Sequence, residues 1–461
     1  MSVLSPAVRV GAGAVVIVLH TAAGFAQALP DALVHAYQFN PQLNAERARQ
    51  RGRDEAFPQA LAGYRPQIAA SLSAGLQDVR NLLPDGTIQT GSIRPWTIGL
   101  TVTQTLFNGF KTANSVRAAE VQVRSGREAL RNAGQGVLLD AVTAYANVRA
   151  NQTLVETQQS NVAVLKDTLE VARKRLSTGD VTPTDVAQAE ARLSRGTADL
   201  NAAQVALATS RAVFSQVIGM PSGTLTPPGS IDPLLPSSLT EATAIARKEH
   251  PAIAGATYDI DAAQFGVRVA EASLLPSVAL QGSISRGRDT DPTLDKKGLD
   301  QASILAQINV PVYDGGLAPS QIRQAKELVA QSRLILDQVR AQTEAAVAAA
   351  WNALDGARAS VVAGESEVRA TTIALDGVKK EAAGGQRTTL DVLNAQQELT
   401  NARARLIQAE RDRTIAAYSL LSSVGRLDVQ RLRLKTPDYL PEVHYDQVRD
   451  AWRGLRTPAG Q

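Results

Sequence analysis

Two stretches of the chain alternate with a period of two. From Pro66 onward Ile68, Ala70, Leu72, Ala74 and Leu76 interleave with Gln67, Ser71, Ser73 and Gln77. A polar stretch, 80–94, follows and reads as a loop turning at Pro84-Asp85-Gly86. Alternation resumes with Trp96, Ile98, Leu100 and Val102 set against Thr97, Gly99, Thr101 and Thr103. Strict alternation over about ten residues predicts a β-hairpin, with strands at about 66–78 and 95–107. The pattern returns at about 276–286, where Val278, Leu280 and Ile284 oppose Ser277, Gln281, Ser283 and Ser285. It returns again at about 301–313, where Ile304, Ala306, Ile308, Val310 and Val312 oppose Ser303, Gln307 and Asn309, after a charged loop at 287–300.

The rest of the pattern is helical. Leu29 to Phe39 and Pro41 to about Gly63 read as two helices, with Pro41 starting the second and Pro58 interrupting it near its end. Each hairpin ends in a short turn, Asn108-Gly109 or Asp314-Gly315, that opens a proline-free run. These runs predict long helices at about 112–177 and 319–383, each about 100 Å. Helices this long imply a coiled-coil-like partner. The partner follows a glycine turn: return helices at about 183–218 and 388–424, each about 54 Å. The shorter upstream helix makes up most of the remaining length.

The chain is written twice. Adding 206 carries Phe107-Asn108-Gly109 onto Tyr313-Asp314-Gly315, Tyr145 onto Trp351, Asp185 onto Asp391 and Gly219 onto Gly425. Upstream the offset is 210, matching Leu29 to Leu239, Pro41 to Pro251 and Pro66 to Pro276. Repeat one is assigned to 27–235, repeat two to 236–425 and a tail to 426–461, read as a loosely structured strap over the helices with a mobile end; Tyr145 and Trp351 are read as equivalent core anchors. Loops drift in length, so a rigid offset indicates that length itself is constrained.

Composition narrows the class. Aromatic residues are 4% of the 461, which suits long helices better than a thick globular interior. The net charge of +4 is spread without a dense basic run, which argues against nucleic-acid binding. No cysteine is present, so disulfides and thiolate metal sites are excluded. His35, His250 and His444 share no metal-ligand spacing, and no nucleophile motif or phosphate-binding loop is found; no cofactor, metal or catalytic residue is assigned and the chain is read as a non-enzyme. Arg9, the apolar run from Val10 to Leu19, and Gly24-Phe25-Ala26 read as a secretory leader over 1–26.

Export changes the meaning of the strands. Ten alternating residues suit a membrane-spanning strand as well as a half-buried one in a soluble sheet. Trp96 is a candidate for an interfacial aromatic belt. Four strands cannot close a barrel, and lipid tolerates no open edge. Spanning strands would therefore need several chains. Two chains supply eight strands and a filled barrel; three supply twelve and leave a lumen.

This order of elements, with Leu106-Phe107-Asn108-Gly109 and the turn from Gly385 through Thr388, Asp391 and Asn394 to Ala395, resembles the TolC-like outer-membrane efflux and secretion proteins. The resemblance covers nearly all of the chain after residue 26. It implies a mostly α fold with a small β part: long coiled-coil hairpins forming an α-barrel, plus four transmembrane strands per chain, closed as a twelve-stranded barrel by a homotrimer. It implies a passive duct in the Gram-negative outer membrane that reaches into the periplasm. The partners it implies are outer-membrane lipid, a periplasmic adaptor and an inner-membrane ABC or RND-type pump. The Leu106–Gly109 form leans toward the branch serving protein-secreting exporters, type I secretion, over multidrug efflux. A periplasmic coiled-coil adaptor or scaffold is the alternative.

The resemblance also assigns residues. Asp391 and Asn394 fall at the family's periplasmic constriction, where the family carries two aspartates. Three Asp391 carboxylates around the threefold would attract cations and raise one another's pKa. Asn394 would halve the collar's charge and weaken cation block. The plainer reading is capping at the start of a helix. Arg387 matches an arginine that latches the closed end to a Thr-Asp pair, here Thr184-Asp185; a tyrosine sharing that latch falls on Ala382.

Overall fold

The computed structural model describes residues 27–288 and 298–458. The leader read at 1–26 and residues 289–297 of the charged loop lie outside the described residues. Helices α1 (Leu29–Phe39), α2 (Pro41–Asp54) and α3 (Ala56–Leu61) precede strands β1 (Gln67–Ala74), β2 (Gln77–Leu82), β3 (Ile88–Ile93) and β4 (Trp96–Asn108). The first helical hairpin is α4 (Lys111–Thr178) and α5 (Pro183–Ile218). The second half runs through α6 (Leu239–Glu249), α7 (Pro251–Glu271), β5 (Ser277–Arg288), β6 (Leu299–Asn309), α8 (Leu317–Ala383) and α9 (Thr389–Ser423), then α10 (Pro441–Val448) in the tail.

Where the halves differ, single residues explain it. Asn40 caps α2 through its side-chain oxygen, and His250 Nδ1 takes the same role at α7, accepting from the Ala252 amide at 3.2 Å. Pro58 cannot donate to the Asp54 carbonyl, so the ladder breaks into α2 and α3. Arg268 stands at the equivalent place and α7 runs unbroken for 21 residues.

The long helices follow from caps at their starts. Asn108 Oδ1 accepts from the Thr112 amide at 3.3 Å while its Nδ2 donates to Thr112 Oγ1 at 2.6 Å. Asp314 accepts from the amides of Gly316 and Ala318 at 3.0 and 2.6 Å. Both turns need two left-handed residues: Gly315 and Gly316 in one, Gly109 and Phe110 in the other. Phe110 sits at φ 65° and its ring meets Phe107 edge-on, 5.3 Å between centroids. Gly109 is irreplaceable on space as well, since a Cβ would lie 2.7 Å from the Ala272 carbonyl oxygen.

Helix α4, 68 residues long, is flanked by α5 along its C-terminal half and by α2, α3 and α7 along its N-terminal half. The main core lies at the mid-height of the molecule. Tyr145 and Phe214 are fully buried there with Leu33, Leu138, Ile218 and Leu427. The Tyr145 hydroxyl lies 2.7 and 2.8 Å from the carbonyls of Gln27 and Thr226. Trp351, its counterpart, is only partly buried at the edge of a second cluster around Val347 and Leu420.

The sheet has strand order β1-β4-β5-β6, antiparallel throughout. Its register sorts the side chains by face. Ile68, Leu72, Ile98, Leu100, Ile284, Ile304 and Ile308 share one face, with Ile304 81% exposed and Leu72 74% exposed. Ser71, Thr97, Thr101, Gln281, Ser283, Ser303 and Gln307 share the other. A bulge at Leu106 shifts the register so that Phe107 pairs with Val278 on the apolar face.

One expectation needs correction. Much of the polar stretch 80–94 is not loop: β2 and β3 pair antiparallel across it, and Asp85 Oδ1 accepts from the Thr87 amide in the turn. The tail is irregular outside α10, but it is fastened to the helices at several points. Leu427, Val429 and Val448 are buried, and Arg426 grips Glu249 through two hydrogen bonds of 2.9 and 2.6 Å. His444 Nδ1 lies 2.9 Å from the buried Asp54 carboxylate. Burial raises the Asp54 pKa, against the lowering effect of its bonds to His444 and Gln50.

Candidate functional site

The two helical hairpins end together at the pole opposite the sheet. Their turns are built alike. Gly179 at φ 84° and Gly385 at φ 75° reverse the chain. Thr182 and Thr388 then start the return helices with reciprocal capping boxes. The Asp185 carboxylate accepts from the Thr182 amide and hydroxyl at 2.9 and 2.8 Å. The Asp391 carboxylate accepts from the Thr388 amide and hydroxyl, both at 2.9 Å. The Thr388 bonds hold the Asp391 carboxyl below the usual range, and those of Thr182 do the same for Asp185. Within one chain the direction is opposite to the rise that a ring of like charges would cause.

The residues matched by resemblance are neighbours in space, but their bonds differ from those expected. Arg387 does not meet Thr184 or Asp185 within the chain. Its Nε donates to Glu381 Oε2 at 2.9 Å, across its own turn. A guanidinium six residues from a carboxylate, with a chain reversal between, finds the local partner first. Asp185 is occupied by its cap, and Thr184 lies beside it in the first turn of α5. Asn394 is engaged as well: its Oδ1 accepts from Arg192 Nη2 at 2.7 Å. That bond ties α9 of one hairpin to α5 of the other. Asn108, Gly109, Asp314 and Gly315 lie at the far end, under the sheet, and build the strand-to-helix turns.

Further contacts join the hairpins above the turns. Leu165 and Leu169 of α4, Ala189 of α5 and Leu393 of α9 form one small apolar cluster. Above it Asn161 Oδ1 accepts from Gln396 Nε2 at 3.3 Å and Thr400 Oγ1 at 3.2 Å, all three residues buried. Gly196 permits the close approach of α5 to α4, since a Cβ there would sit 2.7 Å from Leu165 Cδ1. A cleft of about 420 Å³ opens between α4, the end of α8 and the start of α9, with Asp167, Arg175, Lys379 and Arg387 on its walls. Sequence reasoning missed Arg192, Glu381 and the Asn161 group. Among them only Glu381 had a sequence signal, its position just ahead of the turn that carries Arg387.

Among the described residues no helix is long and apolar enough to cross a membrane. The candidate membrane surface is the sheet. Two hairpins, with helices of 68 and 36 residues in one and 67 and 35 in the other, hung from a sheet with one apolar and one polar face define a class: the outer-membrane channels with long helical extensions. The fold matches the CmeC outer membrane channel of Campylobacter jejuni with a TM-score of 0.76, at 15% identity, over 92% of this chain and 89% of that one. The model of the outer membrane efflux protein family matches residues 32–220 and 243–426, and the chain belongs to that family. It is 41% identical over 444 residues to the outer membrane efflux protein BepC of Brucella suis, covering 96% of this chain and 95% of that one. It is 25% identical to the alkaline protease secretion protein AprF of Pseudomonas aeruginosa, over 74% of this chain and 72% of that one. The protein is therefore an outer-membrane efflux protein, located in the outer membrane.

Proposed function

We propose that three copies of this chain build one passive duct through the outer membrane, its sheets closing a twelve-stranded barrel and its hairpins a tube reaching into the periplasm. The observation that carries this reading is the pair of open edges. β1 pairs only with β4 and β6 only with β5, among the described residues, so each chain presents two unpaired strands flanking an apolar face. Lipid requires those edges to be paired. β1 and β6 run in opposite directions in the order β1-β4-β5-β6, so β6 of one copy continues the antiparallel ladder onto β1 of the next. The polar face then lines the lumen and the apolar face meets lipid.

The tip of the hairpins is the gate in this reading. Asp391 carboxylates, held in one rotamer by their caps, face the threefold axis as an acidic collar, while the Arg192–Asn394 bond holds the two hairpins of each copy together. Energy comes from an inner-membrane ABC or RND-type pump reached through a periplasmic adaptor, and no bond chemistry occurs in this chain. The named relatives include an efflux protein and a protease secretion protein, and a duct of this form serves either cargo class.

The native chain has no cysteine, so introduced pairs are clean probes. Ser71→Cys on β1 is combined in turn with Gln301→Cys, Ser303→Cys and Leu305→Cys on β6, and membranes are oxidised. A ladder ending at a covalent trimer in one register is the expected result. Crosslinks that stop at a dimer, or none in any register, would favour a periplasmic scaffold instead.

A further inference from the structure

A cavity of about 800 Å³ lies at mid-height beneath the C-terminal segment, walled by α2, α4 and the tail. That volume is within the range of sites for small molecules. Its chemistry is unlike a packing defect. Arg47 lines it, is 9% exposed, and donates through Nη1 to Asn44 Oδ1 at 2.9 Å. Among the described residues no carboxylate forms an ion pair with it. The guanidinium is instead sandwiched between two phenol rings, 4.6 Å from the centroid of Tyr37 and 4.9 Å from that of Tyr439. Stacking on two aromatic faces fixes the plane of the fork and leaves its edge for an anion.

Two more polar atoms at the cavity are orphaned. Gln135, 3% exposed, donates through Nε2 to the Gly425 carbonyl, but its Oε1 has no partner within the chain. Arg127 has an unpartnered buried Nε, although its Nη1 lies 3.4 Å from Glu442. A buried acceptor without a donor, and a buried cation without a counter-charge, are each costly. The other arginines of the wall are paired with carboxylates: Arg124 with Glu120, Arg127 with Glu442, Arg131 with Glu128 and Arg431 with Glu249. Arg47 is the wall arginine without an ion pair among the described residues, so one carboxylate is what the cavity can take.

We propose that this cavity binds a small organic carboxylate that also carries an N–H or O–H donor. The carboxylate sits on the edge of Arg47 with help from Arg127, and the donor satisfies Gln135 Oε1. Tyr439 comes from the tail and Arg47 from α2, so an occupied site fastens the tail to the body of the duct.

The test uses the full-length, detergent-purified protein and isothermal titration with N-acetyl-alanyl-alanine, its C-terminal amide and inorganic phosphate. Saturable binding of the acid is expected, with the amide weaker by about tenfold or more, because the charge-assisted bonds are lost. Arg47→Gln should abolish binding. Arg127→Gln, at a less buried side chain, should weaken binding by about tenfold, and it serves if Arg47→Gln does not fold. Equal binding of acid and amide would overturn the proposal, as would binding unchanged in Arg127→Gln. Binding of phosphate alone would overturn the carboxylate assignment, and no saturable binding of any probe would overturn the site.

Discussion

Replacing Asn394 with Asp separates the two roles that the hairpin tip could give that position. If the side chain faced an open lumen, the change would simply add a carboxylate to the collar. The structure instead bonds Asn394 Oδ1 to Arg192 Nη2 at 2.7 Å, between the two hairpins. Asp is the same size, so Asn394→Asp should convert this bond into an ion pair in place. A solvent-accessible pair is worth about 0.2–1 kcal/mol. Three symmetric copies that open together would contribute about 0.6–3 kcal/mol, which lowers the open-to-closed ratio about 3- to 140-fold. Single-channel recording in a planar bilayer reads that ratio directly. The effect should shrink in 1 M salt, where such pairs are screened. It should vanish in an Arg192→Ala background, which makes a double-mutant cycle the decisive control. An unchanged open probability accompanied by stronger cation block would refute the reasoning, because the new carboxylate would then be free in the lumen.

Asp391→Ala should leave assembly intact and reduce block by multivalent cations; unchanged block would remove Asp391 from the pore wall. Hydrogen bonds from Arg426 pull the Glu249 pKa down from 4.5 to about 2. A lowered acid contributes stability in full above 4.5 and loses it as pH falls toward about 2. With solvent screening allowed for, that contribution is about 1–2 kcal/mol. Glu249→Gln should therefore cut amide-exchange protection in the tail around Leu427 by about 5- to 30-fold at neutral pH and flatten its acid dependence. Gly109→Ala combines φ 64° with a Cβ placed 2.7 Å from the Ala272 carbonyl oxygen, whereas Gly86→Ala at φ 80° meets open space. The first should lose assembled protein on a native gel and the second should not.

How much of this was legible beforehand depended on periodicity. β1 and β4 alternate cleanly because one face must be apolar and the other wet, and that contrast is written residue by residue. β2 and β3 carry no such contrast. Asp78, Arg80 and Asn81 against Gln89, Thr90 and Ser92 are polar on either side, so the pairing left no period to read. The long helices were legible through the absence of proline and the fixed offset, since two hairpins of one tube must agree in length. The tip was legible in position only. Resemblance brought Arg387 to the right end of the molecule, but its bond to Glu381 depends on how the turn at Gly384-Gly385 folds the chain back. Arg192 and Asn394 are 202 residues apart, and His444 and Asp54 are 390 apart. No spacing rule reaches such pairs, because helices packed side by side set the contact.

The two open strand edges have a consequence for genetics. In the proposed trimer each copy supplies one third of the barrel wall and depends on a neighbour at both flanks. A chain with one spoiled edge can still join through the other, and it then ruins the ring it enters. In a cell making both kinds, sound ducts should fall as the cube of the fraction of sound chains. Lesions at the edge strands β1 and β6 should therefore behave as dominant alleles, while lesions that unfold the chain before it pairs should remain recessive.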